Sequence, residues 1–117
     1  MGAPTAGAVV LVPFPFSNLA QAKLRPAVVL AEAGRGDWIL RQVTSNPYAD
    51  PHATELATTS FAEGSLRITS YARPGKLFTA SQDLIVSEAG VLDAVAFQGI
   101  IESVIQILQN SLSAAIH

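Results

Sequence analysis

Hydrophobic residues in the first ninety positions fall into short segments separated by glycine, proline and small polar residues. The first segment, Ala8 to Phe16, ends in a proline-rich corner, and the second, Ala27 to Leu30, directly follows Pro26. The pattern predicts further strands at residues 38–43, 54–56, 66–71 and 83–91, with Pro74-Gly75 as a break before residues 76–79. The chain is therefore predicted to be mainly β.

One amphipathic helix is predicted after the last strand. Asp93 suits its N-cap, since a carboxylate there accepts from backbone N–H groups that have no helical partner. Apolar residues then recur at helical spacing: Phe97, Ile100, Ile101, Val104, Ile105 and Leu108. This apolar face is expected to pack in the core. Many short strands and one terminal helix predict a small, mostly antiparallel β-barrel with a helix packed against it.

Composition limits the class of protein. A chain of 117 residues, half of them apolar, suits one domain covering residues 1–117 and leaves apolar surface for self-association. It has no cysteine, which excludes disulfides, thiolate metal sites and a cysteine nucleophile and fits a cytoplasmic protein. We expect no signal peptide and no membrane span, because the longest apolar run is short and contains prolines.

Charge is unevenly distributed along the chain. The net charge of −2 does not suit a general nucleic-acid-binding protein. All seven Lys and Arg residues, however, lie between Lys23 and Lys76, so the first 76 residues have seven positive and five negative charges. This excess predicts at most a modest positive surface, whose binding to phosphates would depend on salt.

The first candidate for chemistry is Lys23-Leu24-Arg25-Pro26. Pro26 disfavours helical backbone at Arg25, which places the arginine in extended backbone at the start of an apolar strand. Its planar guanidinium suits paired hydrogen bonds to phosphate oxygens, and Lys23, two residues away, would lie on the same side. The alternative is that both cations are solvated surface residues.

A second candidate lies where the strand at residues 38–43 ends. Thr44, Ser45 and Asn46 follow it, and their side chains either bind a phosphate or ribose or satisfy backbone groups in a turn. His52 is a candidate general acid or base, or a solvated loop residue. Two widely separated histidines make no metal motif, so no metal site is predicted.

A loose basic cluster follows, formed by Arg67, Arg73 and Lys76 near Tyr71 and Phe78. Aromatic rings and cations together suit single-stranded RNA, because bases stack on the rings while the cations meet phosphates. Polar alternation along a strand produces the same pattern, so both interpretations stay open.

Three segments resemble, in order and spacing, those of the MazF/PemK family of toxin ribonucleases. They are the stretch from Gly7 through Lys23-x-Arg25-Pro26 to Leu30, the strand Ile39 to Ser45 ending in Thr-Ser, and the block Ser70 to Thr79. With the terminal helix, the resemblance covers roughly residues 7–108.

The resemblance implies an SH3-like small antiparallel β-barrel with a C-terminal α-helix, a core at about residues 7–110, and a homodimer. Members typically act as mRNA interferases that regulate growth: they cleave single-stranded RNA at short sequences, without a metal or other cofactor. A cognate antitoxin inhibits them by covering the active groove. The family's catalytic arginine and hydroxyl correspond to Arg25 and Thr44.

The same resemblance matches Arg73 to an arginine that some members use, and we expect Lys23, Ser45 and Lys76 to bind RNA beside it. Some members have an acidic residue two positions after that arginine, where this chain has Gly75. The predicted function is a metal-independent endoribonuclease toxin. The alternative is a non-catalytic toxin of similar fold that binds DNA gyrase, and the Arg25 and Thr44 segments favour the ribonuclease.

Overall fold

The computed structural model describes residues 2–15, 22–46 and 53–116. These contain seven strands: β1 Ala8–Pro15, β2 Ala22–Gly34, β3 Asp37–Thr44, β4 Thr54–Leu56, β5 Phe61–Gly64, β6 Ser70–Ser81 and β7 Ser87–Leu92. One α-helix, α1, covers Ala94–Ile116, and short 3₁₀ turns lie at Thr58–Ser60 and Gln82–Leu84.

The strands form one antiparallel sheet in the order β4-β6-β3-β2-β1-β7-β5. Its two edge strands, β4 and β5, are joined by residues 57–60 alone, so the edges must lie close together. The sheet consequently curls into a nearly closed barrel, an arrangement that leaves little free strand edge. This confirms the predicted mainly β barrel with a C-terminal helix.

The central strands β1 and β2 are buried on both faces. Val9 and Val28 pack with apolar side chains from all seven strands and with the fully buried Ile100 of α1. Val10 and Val29 point the other way, into a second cluster that includes Trp38. Burial on both faces explains why residues 8–12 of β1 and residues 27–30 of β2 are continuous apolar runs rather than alternating ones.

Helix α1 begins at the predicted cap, and its C-terminal half extends beyond the residues that pack against the barrel. The Asp93 carboxylate accepts the backbone N–H of Ala96 at 2.8 Å, which confirms the cap. Ile100 is fully buried, whereas Ile105 and Leu108 are 46% and 61% exposed, so the prediction that the whole apolar face packs in the core is wrong. The helix is about 35 Å long, and its C-terminal half has an apolar face open to solvent. Within the described residues, no helix is both long and apolar enough to cross a membrane.

The strand predicted at residues 54–56 is confirmed as β4, whereas the predicted break at Pro74-Gly75 and the predicted bounds of the strands at 66–71 and 83–91 are wrong. Strand β6 is continuous from Ser70 to Ser81 and contains a bulge at the proline. Ala72 pairs with Val43 and Leu77 pairs with Arg41, so the β6 residues between Ala72 and Leu77 lie outside the regular pairing. A proline is tolerated there because it does not need to donate a ladder hydrogen bond. Residues 66–69 are a loop, β5 was not predicted, and a 3₁₀ turn precedes β7.

Candidate functional site

An open cleft of about 430 Å³ lies where β2 and β3 meet the loop between β5 and β6. Its polar lining comes from two arginines and four hydroxyl residues: Arg25, Thr44, Ser45, Ser65, Arg67 and Ser70. Apolar side chains complete the wall: Leu11, Leu24, Pro26, Val43, Leu66, Ile68 and Ala89. No carboxylate lines the cleft among the described residues, so its chemistry favours an anion with some apolar surface.

Arg25 and Thr44 are brought to this cleft by neighbouring strands. Ala27 pairs with Gln42 at the end of the antiparallel ladder of β2 and β3, and Arg25 and Thr44 lie two residues beyond this pair on their strands. Arg25 itself pairs with Val12 of β1. Its half-buried side chain therefore starts from backbone that is held in the sheet.

The Thr44 hydroxyl is oriented by the turn that follows β3. Its oxygen accepts the backbone N–H of Asn46 at 3.2 Å, the local bond that the alternative turn interpretation predicts. Because a hydroxyl has one proton and two lone pairs, accepting this bond leaves its proton available for donation into the cleft. Thr44 can therefore accept the turn hydrogen bond and donate a hydrogen bond to a ligand at the same time.

Another part of the lining is the loop of residues 65–69. Gly64 enters it with φ at 65°, and a Cβ there would lie 2.3 Å from the carbonyl oxygen of Ala89, so glycine is required. At the other end the buried Ser70 donates its hydroxyl to the carbonyl of Ile68 at 3.1 Å. These two contacts hold Arg67 at the cleft from a short, anchored loop.

The other predicted RNA-binding residues lie away from this lining. Lys23 is exposed on β2, two residues from Arg25 and hence on the same strand face. Arg73 is half-buried and Lys76 exposed, and both lie in the β6 bulge. Neither the two lysines nor Arg73 lines the cleft. His52 lies outside the described residues.

Arg67 was not among the residues predicted to bind RNA. It was grouped with Arg73 and Lys76 by proximity in the chain, but only Arg67 reaches the cleft. The available signal was its position in a short segment between Ser65 and Ser70, flanked by hydroxyl residues rather than by the strand pattern of Arg73.

A third arginine has a different environment. Arg41 of β3 is fully buried and donates to the carbonyls of Ala72 and Ile100 and to the hydroxyl of Ser103. We call this contact between α1, β3 and β6 the α1 seam. Burying a guanidinium is costly unless its N–H groups are satisfied, and here the chain itself supplies acceptors. The sequence pattern assigns Arg41 only to a strand.

The described residues contain no group of three His, Cys, Asp or Glu side chains placed to hold a metal ion. The cleft instead offers guanidinium and hydroxyl donors, which bind phosphate oxygens and stabilise charge that develops on them. Its volume lies within the roughly 300–1,000 Å³ typical of sites for small ligands or a few nucleotide groups.

Known proteins similar to this chain include a toxin family. A family model of the PemK-like, MazF-like toxins of type II toxin–antitoxin systems matches residues 5–108. Among curated protein sequences, none matches this chain.

Solved structures share the fold at low sequence identity. A MazE–MazF complex from Deinococcus radiodurans has a TM-score of 0.75 at 17% identity, covering 93% of this chain and 98% of that one. MazF alone from the same organism has a TM-score of 0.72 at 18% identity, covering 93% and 99%. An endoribonuclease in complex with its cognate antitoxin from a mycobacterial species has a TM-score of 0.71 at 14% identity, covering 93% and 96%.

Proposed function

The chain belongs to the PemK-like, MazF-like toxin family of type II toxin–antitoxin systems, and we propose that it is a toxin that cleaves single-stranded RNA. The observation that carries this proposal is the cleft in which Arg25 and Thr44 meet on adjacent strands, with hydroxyls around them and no carboxylate among its described lining residues. Such a site attracts an anion such as a phosphodiester and repels cationic ligands.

The proposed reaction is attack of a ribose 2′-hydroxyl on the adjacent phosphorus. A bond forms between the 2′-oxygen and phosphorus, and the bond from phosphorus to the 5′-oxygen breaks, which leaves a cyclic phosphate and a 5′-hydroxyl. Negative charge grows on the non-bridging oxygens in the transition state, where Arg25 stabilises it by paired hydrogen bonds. Thr44 donates its hydroxyl proton to the same phosphate or holds the 2′-hydroxyl in position.

Arg25 acts here by charge stabilisation rather than as a base. A guanidinium remains protonated under ordinary conditions and has no lone pair to accept a proton, so it is a poor general base. The proton from the 2′-hydroxyl therefore goes to solvent water, and the departing 5′-oxygen takes a proton from solvent water to become the 5′-hydroxyl.

The test is cleavage of single-stranded RNA in the presence of a chelator, by wild type and by Arg25→Ala. We expect full cleavage by wild type and a loss of roughly 100- to 1,000-fold in the variant, the scale for removing a preorganised donor to an oxyanion. Arg35→Ala is the matched control, because Arg35 lies in the exposed turn between β2 and β3 and outside the cleft. Equal activity of Arg25→Ala and wild type, with both folded by circular dichroism, contradicts the assignment.

The gyrase-binding alternative is decided in the same preparation. A toxin of that kind would leave RNA intact and inhibit DNA supercoiling by gyrase. Inhibition of supercoiling without cleavage would replace the ribonuclease proposal. Because fold alone does not assign function, the choice between the two depends on the site. The arrangement of Arg25 and Thr44 favours cleavage.

Two protein partners belong to the proposal. Solved relatives are complexes with an antitoxin, and we propose a cognate antitoxin for this chain as its inhibitor. A second copy of the chain is proposed to cover the exposed apolar face of α1, where Ile105, Leu108 and Leu112 are 46%, 61% and 62% exposed. Sedimentation velocity at micromolar concentration tests the homodimer, and a clean monomer contradicts it.

A further inference from the structure

Arg67 is the second cation of the cleft and has no part in the reaction just described. It lies on the loop between β5 and β6, whereas Arg25 and Thr44 lie on β2 and β3. Its side chain is exposed, and within the described part of the chain no hydrogen bond or ion pair involves it. An exposed guanidinium at the edge of a cleft without described carboxylates is available to a ligand's negative charge.

The loop that holds Arg67 restrains where the guanidinium can go. Gly64 at one end has no room for a Cβ against the carbonyl of Ala89. Ser70 at the other end is 4% exposed and bonded to the carbonyl of Ile68. A cation on an anchored loop loses less conformational freedom on binding than one on a free loop, which favours a defined contact over diffuse attraction.

A ligand with negative charge at more than one place fits a cleft lined by two guanidinium groups. Arg25 starts from strand β2 and Arg67 from the loop between β5 and β6, so the two groups reach the cleft from separate elements. A nucleic acid strand repeats its phosphate at every nucleotide and so can offer each guanidinium group its own phosphate.

We infer that Arg67 binds the phosphate next to the scissile one and thereby fixes the register of the RNA strand in the cleft. This inference rests on the proposed ribonuclease function and adds a binding residue to it. Arg67 touches a part of the substrate whose charge does not change during the reaction. Its contribution is therefore uniform binding, which appears in KM and not in kcat.

The experiment compares Arg67→Gln with wild type on a short RNA whose cleavage position has been mapped with wild type. We expect KM to rise roughly tenfold, the scale of one hydrogen bond to a charged group, with kcat unchanged within about twofold. The dependence of log KM on log salt should become shallower by roughly 0.7, the value for one phosphate contact on a single strand.

Two control variants separate charge from position. Arg67→Lys keeps the charge and should keep most of the salt dependence, although it loses the paired geometry. Arg35→Gln removes one positive charge from the exposed turn after β2, ten residues or roughly 30 Å of extended chain beyond Arg25. It should leave KM and the salt dependence at wild-type values.

Modified substrates identify the phosphate. In each substrate, one phosphate flanking the scissile position is replaced by a neutral methylphosphonate, and the adjoining sugar is 2′-deoxy. The control substrate has the same 2′-deoxy sugar with an ordinary charged phosphate. For one position next to the cleavage site, wild type and Arg67→Gln should bind equally well, because the charge that Arg67 contacts is already absent.

The outcomes distinguish the two proposals. Cleavage by wild type with Arg67→Gln indistinguishable from Arg35→Gln overturns the role of Arg67 and leaves the ribonuclease assignment standing. A defect that persists on every methylphosphonate substrate also overturns it, since Arg67 would then act elsewhere than on a neighbouring phosphate. Intact RNA after incubation with folded wild type overturns both proposals.

Discussion

Arginine occupies two contrasting regions of this molecule, the α1 seam and the cleft. In the seam, Arg41 is fully buried and its two terminal nitrogens, Nη1 and Nη2, donate to acceptors of the same chain. In the cleft, Arg25 is half-buried and Arg67 exposed, with hydroxyl residues beside them and solvent in front. The difference lies in access to solvent: Arg41 has none, whereas the exposed guanidinium of Arg67 can donate to a ligand's oxygens in place of water.

The comparison separates stability from binding. A guanidinium that has lost its water is held by its partners, so its removal should change the free energy of unfolding. A guanidinium still in contact with water exchanges that water for a phosphate at small cost, so its removal should change activity instead. The following predictions test this separation, beginning with the largest effect.

Thr44→Val should lower kcat/KM for RNA cleavage by roughly 100-fold, because it removes a hydroxyl donor beside the reacting phosphate. The free energy of unfolding should change by less than about 1 kcal/mol, since valine has a similar shape and suits a strand end. Steady-state cleavage and urea unfolding measure the two quantities.

Thr44→Ser is the matched control for this change. It keeps the hydroxyl and should retain activity within roughly tenfold of wild type. If the valine variant cleaves RNA as fast as the serine variant, the hydroxyl is a turn residue only, and its bond to Asn46 is its whole role.

Arg41→Met should lower the free energy of unfolding by about 2 kcal/mol, while any kcat/KM for RNA cleavage measured for the folded protein stays near wild type. Methionine fills most of the volume but cannot donate to Ala72, Ile100 or Ser103. Urea unfolding measures the loss, and cleavage assays corrected for folded fraction measure activity.

Ser103→Ala is the control within the seam, because it removes one acceptor and leaves the guanidinium in place. Ser103 accepts from Arg41 at 3.2 Å and donates to the carbonyl of Ile100 at 2.7 Å, so its loss should cost about 1 kcal/mol, less than the loss of Arg41. An Arg41→Met variant as stable as wild type would mean that desolvation of the charge cancels its hydrogen bonds, as occurs for some buried ion pairs.

Local patterns predicted the parts of the fold that depend on neighbouring residues. The apolar runs of β1 and β2 and the Asp93 cap of α1 each need only a few consecutive side chains, and each is confirmed. Strand β6 was misread at Pro74-Gly75, because a bulge there is possible only opposite a particular partner strand. The exposed half of α1 was misread because helical spacing does not tell how far the barrel extends beneath it.

The candidate site shows the same division. Arg25 and Thr44 follow from strand ends and from the family resemblance, and the β2–β3 register explains why they share one cleft. Arg67 and Arg73 look alike in the sequence, six positions apart in one basic cluster. The structure separates them, with Arg67 on the cleft wall and Arg73 in the β6 bulge.

The sequence by itself determined the strand and helix types, the family, and the residue kinds suited to a phosphate, because these depend on local backbone preference and side-chain chemistry. The tertiary structure decided which cations share a surface and which arginine is buried. Those outcomes depend on contacts between distant segments: Arg41 meets Ile100 across 59 positions of the chain. Such contacts form only when the barrel closes and α1 packs against it, and a local pattern contains no record of them.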